Sequence, residues 1–174
     1  MKRRPRDIGT AAESATVKYL HTAGFPHAER RSLRGALDAG DITGTPGVCW
    51  EVKGGDAART ASDLTITRWM AELATETVNA DADFGLLVVQ RAGVGPGNAA
   101  RWWAYMPAWH VTALLTGSLP GVAVTFPVRM LLADAVTLLR AAGYGTEPAP
   151  TVVPYQAVHP AGVHTINLPA QEAS

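Results

Sequence analysis

The sequence predicts an α/β domain with a central mixed β-sheet flanked by helices, and three observations lead there. A segment of helical period spans Thr10–Ala23, a nearly continuous apolar run spans Phe84–Gln90, and strand-like and helix-like segments alternate around them. The 174 residues, 47% of them hydrophobic at a mean hydropathy of +0.05, supply material for one core. No apolar run approaches the ~20 residues that a membrane span needs. The basic start Met1-Lys2-Arg3-Arg4 is not followed by a hydrophobic signal segment. Cys49 is the single cysteine, so an internal disulfide and a cysteine-based zinc site are both excluded and a packing role is expected. These features predict a cytoplasmic protein that neither enters a membrane nor needs a small-molecule cofactor.

Each element has its own warrant. Ala12, Ala15 and Tyr19 form the inner face of the first helix and Gly24 ends it. Phe25–Leu33 holds a first strand, and residues 41–44 and 48–53 form two more around Gly44-Thr45-Pro46-Gly47, a turn by composition. Gly54-Gly55-Asp56 reads as a mobile connection. Ser62 caps a second helix reaching Asn79, with Ile66, Met70, Leu73 and Thr77 on one face. Phe84–Gln90 suits the centre of a sheet covered on both sides. A flexible turn over 92–98 leads to a strand over Arg101–Met106. Pro107–Thr116 reads as a helix with Pro in its first turn, Val122–Phe126 as an edge strand, and Leu131–Ala142 as a helix stopped by Gly143. The chain divides into a basic arm (1–8), a core (9–106), an extension that offers a dimer interface (107–145) and a Pro-rich extended tail (146–174).

The chemistry concentrates in the predicted hairpin. Folding about Thr45-Pro46 brings Asp41 opposite or nearly opposite Glu51, and facing residues of an antiparallel pair lie roughly 4.5–5.5 Å apart. Period-two geometry sends Cys49, Glu51 and Lys53 to one face and the apolar Val48, Trp50 and Val52 to the other. Two carboxylates with an amine beside them suit a hard cation such as Mg²⁺, which takes oxygen ligands and keeps several waters. The lysine would hold or deprotonate an attacking water. Asp38 is the competing acid, but it falls out of register with Glu51.

With these residues the chain resembles the restriction-endonuclease-like PD-(D/E)XK nuclease superfamily, and within it the Holliday-junction resolvases, particularly small versions encoded by bacterial viruses. The resemblance runs from about Arg6 to Met106. It covers Gly9-Thr10-Ala11-Ala12-Glu13, Gly24-Phe25, Arg30-Arg31-Ser32, Gly40-Asp41, Glu51-Val52-Lys53 and the strand-turn-strand unit from Phe84 to Met106. Ala39-Gly40 departs from the Pro often found before the Asp. The resemblance implies a restriction-endonuclease-like core and catalytic roles for Glu13, Asp41, Glu51 and Lys53. It also implies Mg²⁺, with Mn²⁺ able to substitute, held by Asp41, Glu51, the Val52 backbone carbonyl and Glu13. For Glu13 a second role stays open, because Thr10-Ala11-Ala12-Glu13 also fits a helix capping box.

Net charge is zero at a pI near 7.0, but its distribution is uneven. Residues 1–34 carry eight Lys and Arg against three acids, whereas 146–174 carry no Lys or Arg. Arg3, Arg4, Arg6, Arg30, Arg31 and Arg34 are therefore the expected DNA-contacting set, and the resemblance adds Ser32 as a loop serine near the site. Trp102-Trp103 could stack on bases or fill core, Trp102, Trp103 and Trp109 could serve an interface, and His159 and His164 read as exposed tail residues. The leading expectation is a homodimeric, Mg²⁺-dependent endonuclease resolving four-way junctions by paired hydrolysis of branched DNA, in a host bacterial cytoplasm if phage-encoded. The alternatives are the same chemistry on flaps, ends or a restriction site, and a non-catalytic DNA-binding module of the same fold.

Overall fold

The computed structural model describes residues 5–32 and 38–146, with the side chains of residues 5–8 excepted. Arg3, Arg4, Arg34, His159, His164 and the tail beyond Thr146 lie outside this description. The elements run α1 (Pro5–Thr22), β1 (Glu29–Arg30), β2 (Ile42–Thr43), β3 (Val48–Lys53), α2 (Gly55–Arg59), α3 (Asp63–Asn79), β4 (Phe84–Val89), a 3₁₀ turn (Pro96–Arg101), β5 (Trp103–Pro107), α4 (Ala108–Thr116), β6 (Pro127–Leu131) and α5 (Leu132–Ala141).

The strands form one six-stranded mixed sheet in sequence order, β1 to β6. All neighbours are antiparallel except β3 and β4. A parallel pair needs a crossover of a dozen or more residues, and α2 and α3 supply it. Each face of the sheet buries its own core. On one face Leu20, Phe25, Trp50, Val52, Leu86, Val88, Trp102, Leu132 and Leu139 pack together beneath α1, α4 and α5. On the other, Cys49, Leu87 and Val89 meet Ile66, Trp69 and Leu73 of α3. β4 is buried along its whole length, as a strand covered on both faces must be.

The turn before β3 has little freedom. Gly44 has φ 76°, and a Cβ there would stand 1.8 Å from the His27 carbonyl oxygen. Val48 N–H donates to the Thr45 carbonyl, and the Trp50 indole donates to the Thr45 hydroxyl at 3.0 Å. This packing locks the hairpin to the strand that follows it.

Several sequence expectations are corrected. α1 starts at Pro5, so residues 5–8 belong to the helix and Thr10 lies inside it; Pro is favourable in a first helical turn. Glu13 is therefore no cap partner of Thr10. Gly55–Arg59 is a short helix where a loose connection is expected, and the turn over 92–98 passes into a 3₁₀ turn. α3 begins at its Ser62 cap, but the buried face is Ile66, Trp69, Leu73 and Glu76, with Met70 and Thr77 at its margin. The edge strand is Pro127–Leu131, not Val122–Phe126; Pro is tolerated at the first residue of an edge strand. Among the described residues no helix is long and apolar enough to cross a membrane.

Gly44→Ala should lower stability more than a left-handed backbone alone demands, which is roughly 1–2 kcal/mol. Gly93→Ala is the control, because Gly93 has φ 74° but nothing near its Cβ position. Urea unfolding of both variants measures the difference; equal losses would show that the His27 contact does not constrain the hairpin.

Candidate metal and nuclease site

The hairpin register places the acids as expected. Ile42 pairs with Trp50, and the preceding Asp41 N–H donates to the Trp50 carbonyl at 2.7 Å, so Asp41 stands across from the Trp50–Glu51 step of β3. The Asp41 carboxylate is held there by the Val52 N–H, which donates to its Oδ2 at 2.8 Å. Strand geometry sends the Val52 carbonyl to the same edge as its N–H, toward Asp41. Gly40 completes the corner. Its φ of 86° is closed to Pro, whose φ is fixed near −65°, which accounts for the missing Pro before Asp41.

Glu51 is 7% exposed and sits between Asp41 and Lys53. The Lys53 ammonium donates to Glu51 Oε1, approaches Glu72 Oε2 at 3.8 Å and lies 5.7 Å from the Trp69 ring centre. Burial, then repulsion from Glu51, pushes the Asp41 pKa up to about 7 against the Val52 hydrogen bond. Burial also raises Glu51, although Lys53 pulls the other way. For Lys53 burial favours the neutral amine, but the hydrogen bond and charge of Glu51 outweigh it and the pKa is raised. Lys53 is accordingly an ammonium in this arrangement, which suits holding a water or stabilising phosphoryl charge and does not suit deprotonation.

Glu76 was not foreseen. It is 6% exposed on the sheet-facing side of α3, and its Oε2 is buried without a hydrogen-bond partner. Burial and the charge of Asp38 raise its pKa, opposed by Glu51 and Lys53. The available signal is phase: Glu76 follows Ile66, Trp69 and Leu73 at helical spacing on the buried face. Asp41, Glu51 and Glu76, with the more exposed Glu72, thus crowd about one ammonium.

Glu13 lies at the margin. Arg30 Nε donates to its Oε2 at 2.7 Å and Arg30 Nη2 to the Thr10 hydroxyl at 3.3 Å, while its charge still raises the Asp41 pKa. Arg30 is therefore engaged by an acid. Arg31 is exposed, and its Nε donates to the Gly40 carbonyl at 3.0 Å, bracing the loop before Asp41. Ser32 is exposed beside it, and Arg6 lies in the first turn of α1. Asp38 is exposed and accepts from Gly40 N–H at 3.4 Å as a turn acid. Cys49 is 1% exposed with its pKa pushed up to about 12 by burial, so its thiol is inert packing. Trp102 is core, with its indole donating to the Val94 carbonyl at 3.0 Å.

Among the described residues no three His, Cys, Asp or Glu side chains form a ready-made metal cage. Mg²⁺ needs less, since one or two carboxylates and several waters commonly hold it. The oxygen-only donor pair of Asp41 and Glu51, short of compensating positive charge and next to the Val52 carbonyl, fits that requirement. No family model, curated protein or solved structure matches the chain.

Because its folded pKa lies above the ordinary carboxylate value, Asp41 favours folding fully only below about 4 and costs stability as pH rises through about 7. Asp41→Asn should therefore stabilise the cation-free protein at pH 8 relative to pH 4, by at most about 4 kcal/mol. Chemical denaturation in a chelator at both pH values checks this. A pH-independent effect would contradict the buried-acid account.

Proposed function

We propose that this chain is a Mg²⁺-dependent endonuclease of the restriction-endonuclease-like PD-(D/E)XK superfamily that resolves four-way DNA junctions. The observation that carries the reading is the Asp41 carboxylate bonded to Val52 N–H, next to Glu51, with Lys53 bonded to Glu51 on the same face of β3. Asp41, Glu51 and the Val52 carbonyl would hold the cation. When bound, a divalent cation supplies Lewis-acid stabilisation of phosphoryl charge and favours ionisation of water.

The remaining work falls to the chain's own groups. The Lys53 ammonium orients the attacking water and stabilises charge gathering on the scissile phosphate. Val52 N–H fixes the Asp41 carboxylate, so that part of the site is set before substrate arrives. Glu13, tied to Arg30, stands at the rim as an outer acid that a bound phosphodiester would approach.

Two symmetric nicks in a two-fold junction call for two sites, hence for a homodimer. The extension after β5 supports that reading. Leu115, Leu119, Val122 and Phe126 are 62–77% exposed, and a groove of about 540 Å³ is lined by Met70, Val78, Pro107, Trp109 and Pro127 among others. Exposed apolar side chains and an apolar groove in one segment suit an interaction surface.

Asp41→Asn and Glu51→Gln should abolish cleavage of a labelled synthetic junction in Mg²⁺ while leaving the fold intact. Lys53→Ala should slow it by about 10²–10⁴-fold. Linear duplex and flap substrates run in parallel assign the preferred DNA. Near-wild-type cleavage by all three variants would refute the site, and a flap preference would refute the junction assignment. Sedimentation at micromolar concentration should give a dimer that Phe126→Asp dissociates; a strict monomer would contradict the paired-cleavage reading.

A further inference from the structure

The sheet register continues the site row beyond Glu51. Glu51, Leu87, Tyr105 and Arg129 stand side by side on β3 to β6, and Lys53, Val89, Trp103 and Leu131 form the next row. Residues in such rows share one face of the sheet. Trp103 is thus two strands from Lys53, or about 10 Å at ~4.8 Å per strand.

Trp103 is half-buried and two arginines lie against its ring. Arg91 Cζ lies 4.3 Å from its ring centre and Arg129 Cζ 4.7 Å. Arg91 follows β4 close to Lys53, since the neighbouring Gln90 N–H donates to the Lys53 carbonyl at 2.9 Å. Among the described residues neither guanidinium forms an ion pair with a carboxylate. Of the other arginines, Arg30 is paired with Glu13, Arg59 with Asp56 and Arg68 with Glu72 at 3.8 Å, whereas Arg31 donates to the Gly40 carbonyl.

We infer that Arg91, Trp103 and Arg129 form a phosphate-binding platform that holds the DNA strand leading away from the cleavage position. Stacking on the indole restrains both guanidiniums while leaving their in-plane N–H groups for bidentate bonds to phosphate oxygens. Measured along a duplex axis, the platform's distance from Lys53 equals about three base-pair rises of 3.4 Å each. Charge complementarity points the same way, because the acidic site itself repels a polyanion and needs positive charge at its flank. The platform also moves DNA contact toward β5 and β6, away from Arg30, whose charge Glu13 already meets.

This inference rests on the proposed nuclease reading, and the experiment separates the two. Fluorescence anisotropy of the full chain with a labelled four-way junction is measured across a salt series without divalent cation. The Arg91→Gln/Arg129→Gln double variant should bind more weakly, and its log–log salt slope should fall by about 1.8, or 0.9 per lost phosphate contact. Arg91→Lys/Arg129→Lys should keep most of the slope but not the full affinity, since lysine cannot bond bidentately. Mn²⁺ binding, followed by the loss of the free-ion resonance signal, should be unchanged in both variants. A wild-type slope in the glutamine variant overturns the platform while leaving the nuclease reading intact. No DNA binding by wild type at any salt concentration overturns both.

Discussion

The short bond from Val52 N–H to the Asp41 carboxylate governs the candidate site. It joins the residue just before β2 to the penultimate residue of β3 and fixes which way Asp41 points. A slip of one residue would turn Glu51 and Lys53 into the α1-side core and Trp50 toward α3. The register resists that slip because Trp50 is fully buried, bonded to Thr45 and packed edge-on to Phe25 at 5.9 Å. An apolar constraint on one face of the sheet thereby positions acids on the other.

The cost of this arrangement is electrostatic. Asp41, Glu51 and Glu76 are drawn into a partly desolvated corner with one ammonium between them, and burial is the largest influence raising each carboxyl pKa. A structure that only needed stability would be better served by apolar residues of similar volume, since buried charges repay their desolvation poorly. An orphaned oxygen on Glu76 adds to the imbalance. A site short of positive charge is suited to receive a cation, and the proposed function accounts for that shortage.

Local chemistry made much of this legible in the sequence. Gly44, Pro46 and Gly47 marked the turn, period-two alternation set the faces of β3, and Ser62 and Gly143 marked helix ends at α3 and α5. What escaped depended on contacts distant in sequence or on patterns that admit two readings. Thr10-Ala11-Ala12-Glu13 has the spacing of a cap, yet Pro5 opens the helix earlier and Glu13 is claimed by Arg30, seventeen residues away. Val122–Phe126 alternates as a strand does, but β6 pairs through Pro127–Leu131, where Leu131 leads directly into α5. Glu76 joined the site only through the rotation of α3, and Arg91 meets Arg129 only because β4, β5 and β6 stand side by side.

The most direct test of the metal-site reading is anomalous diffraction from crystals of the protein soaked in Mn²⁺. The account expects an anomalous peak in contact with the carboxylates of Asp41 and Glu51, with Lys53 beside it, and no such peak in Asp41→Asn crystals. A well-ordered site in which Asp41 and Glu51 share a proton or stay bound to Lys53, with no metal density at saturating Mn²⁺, would contradict it.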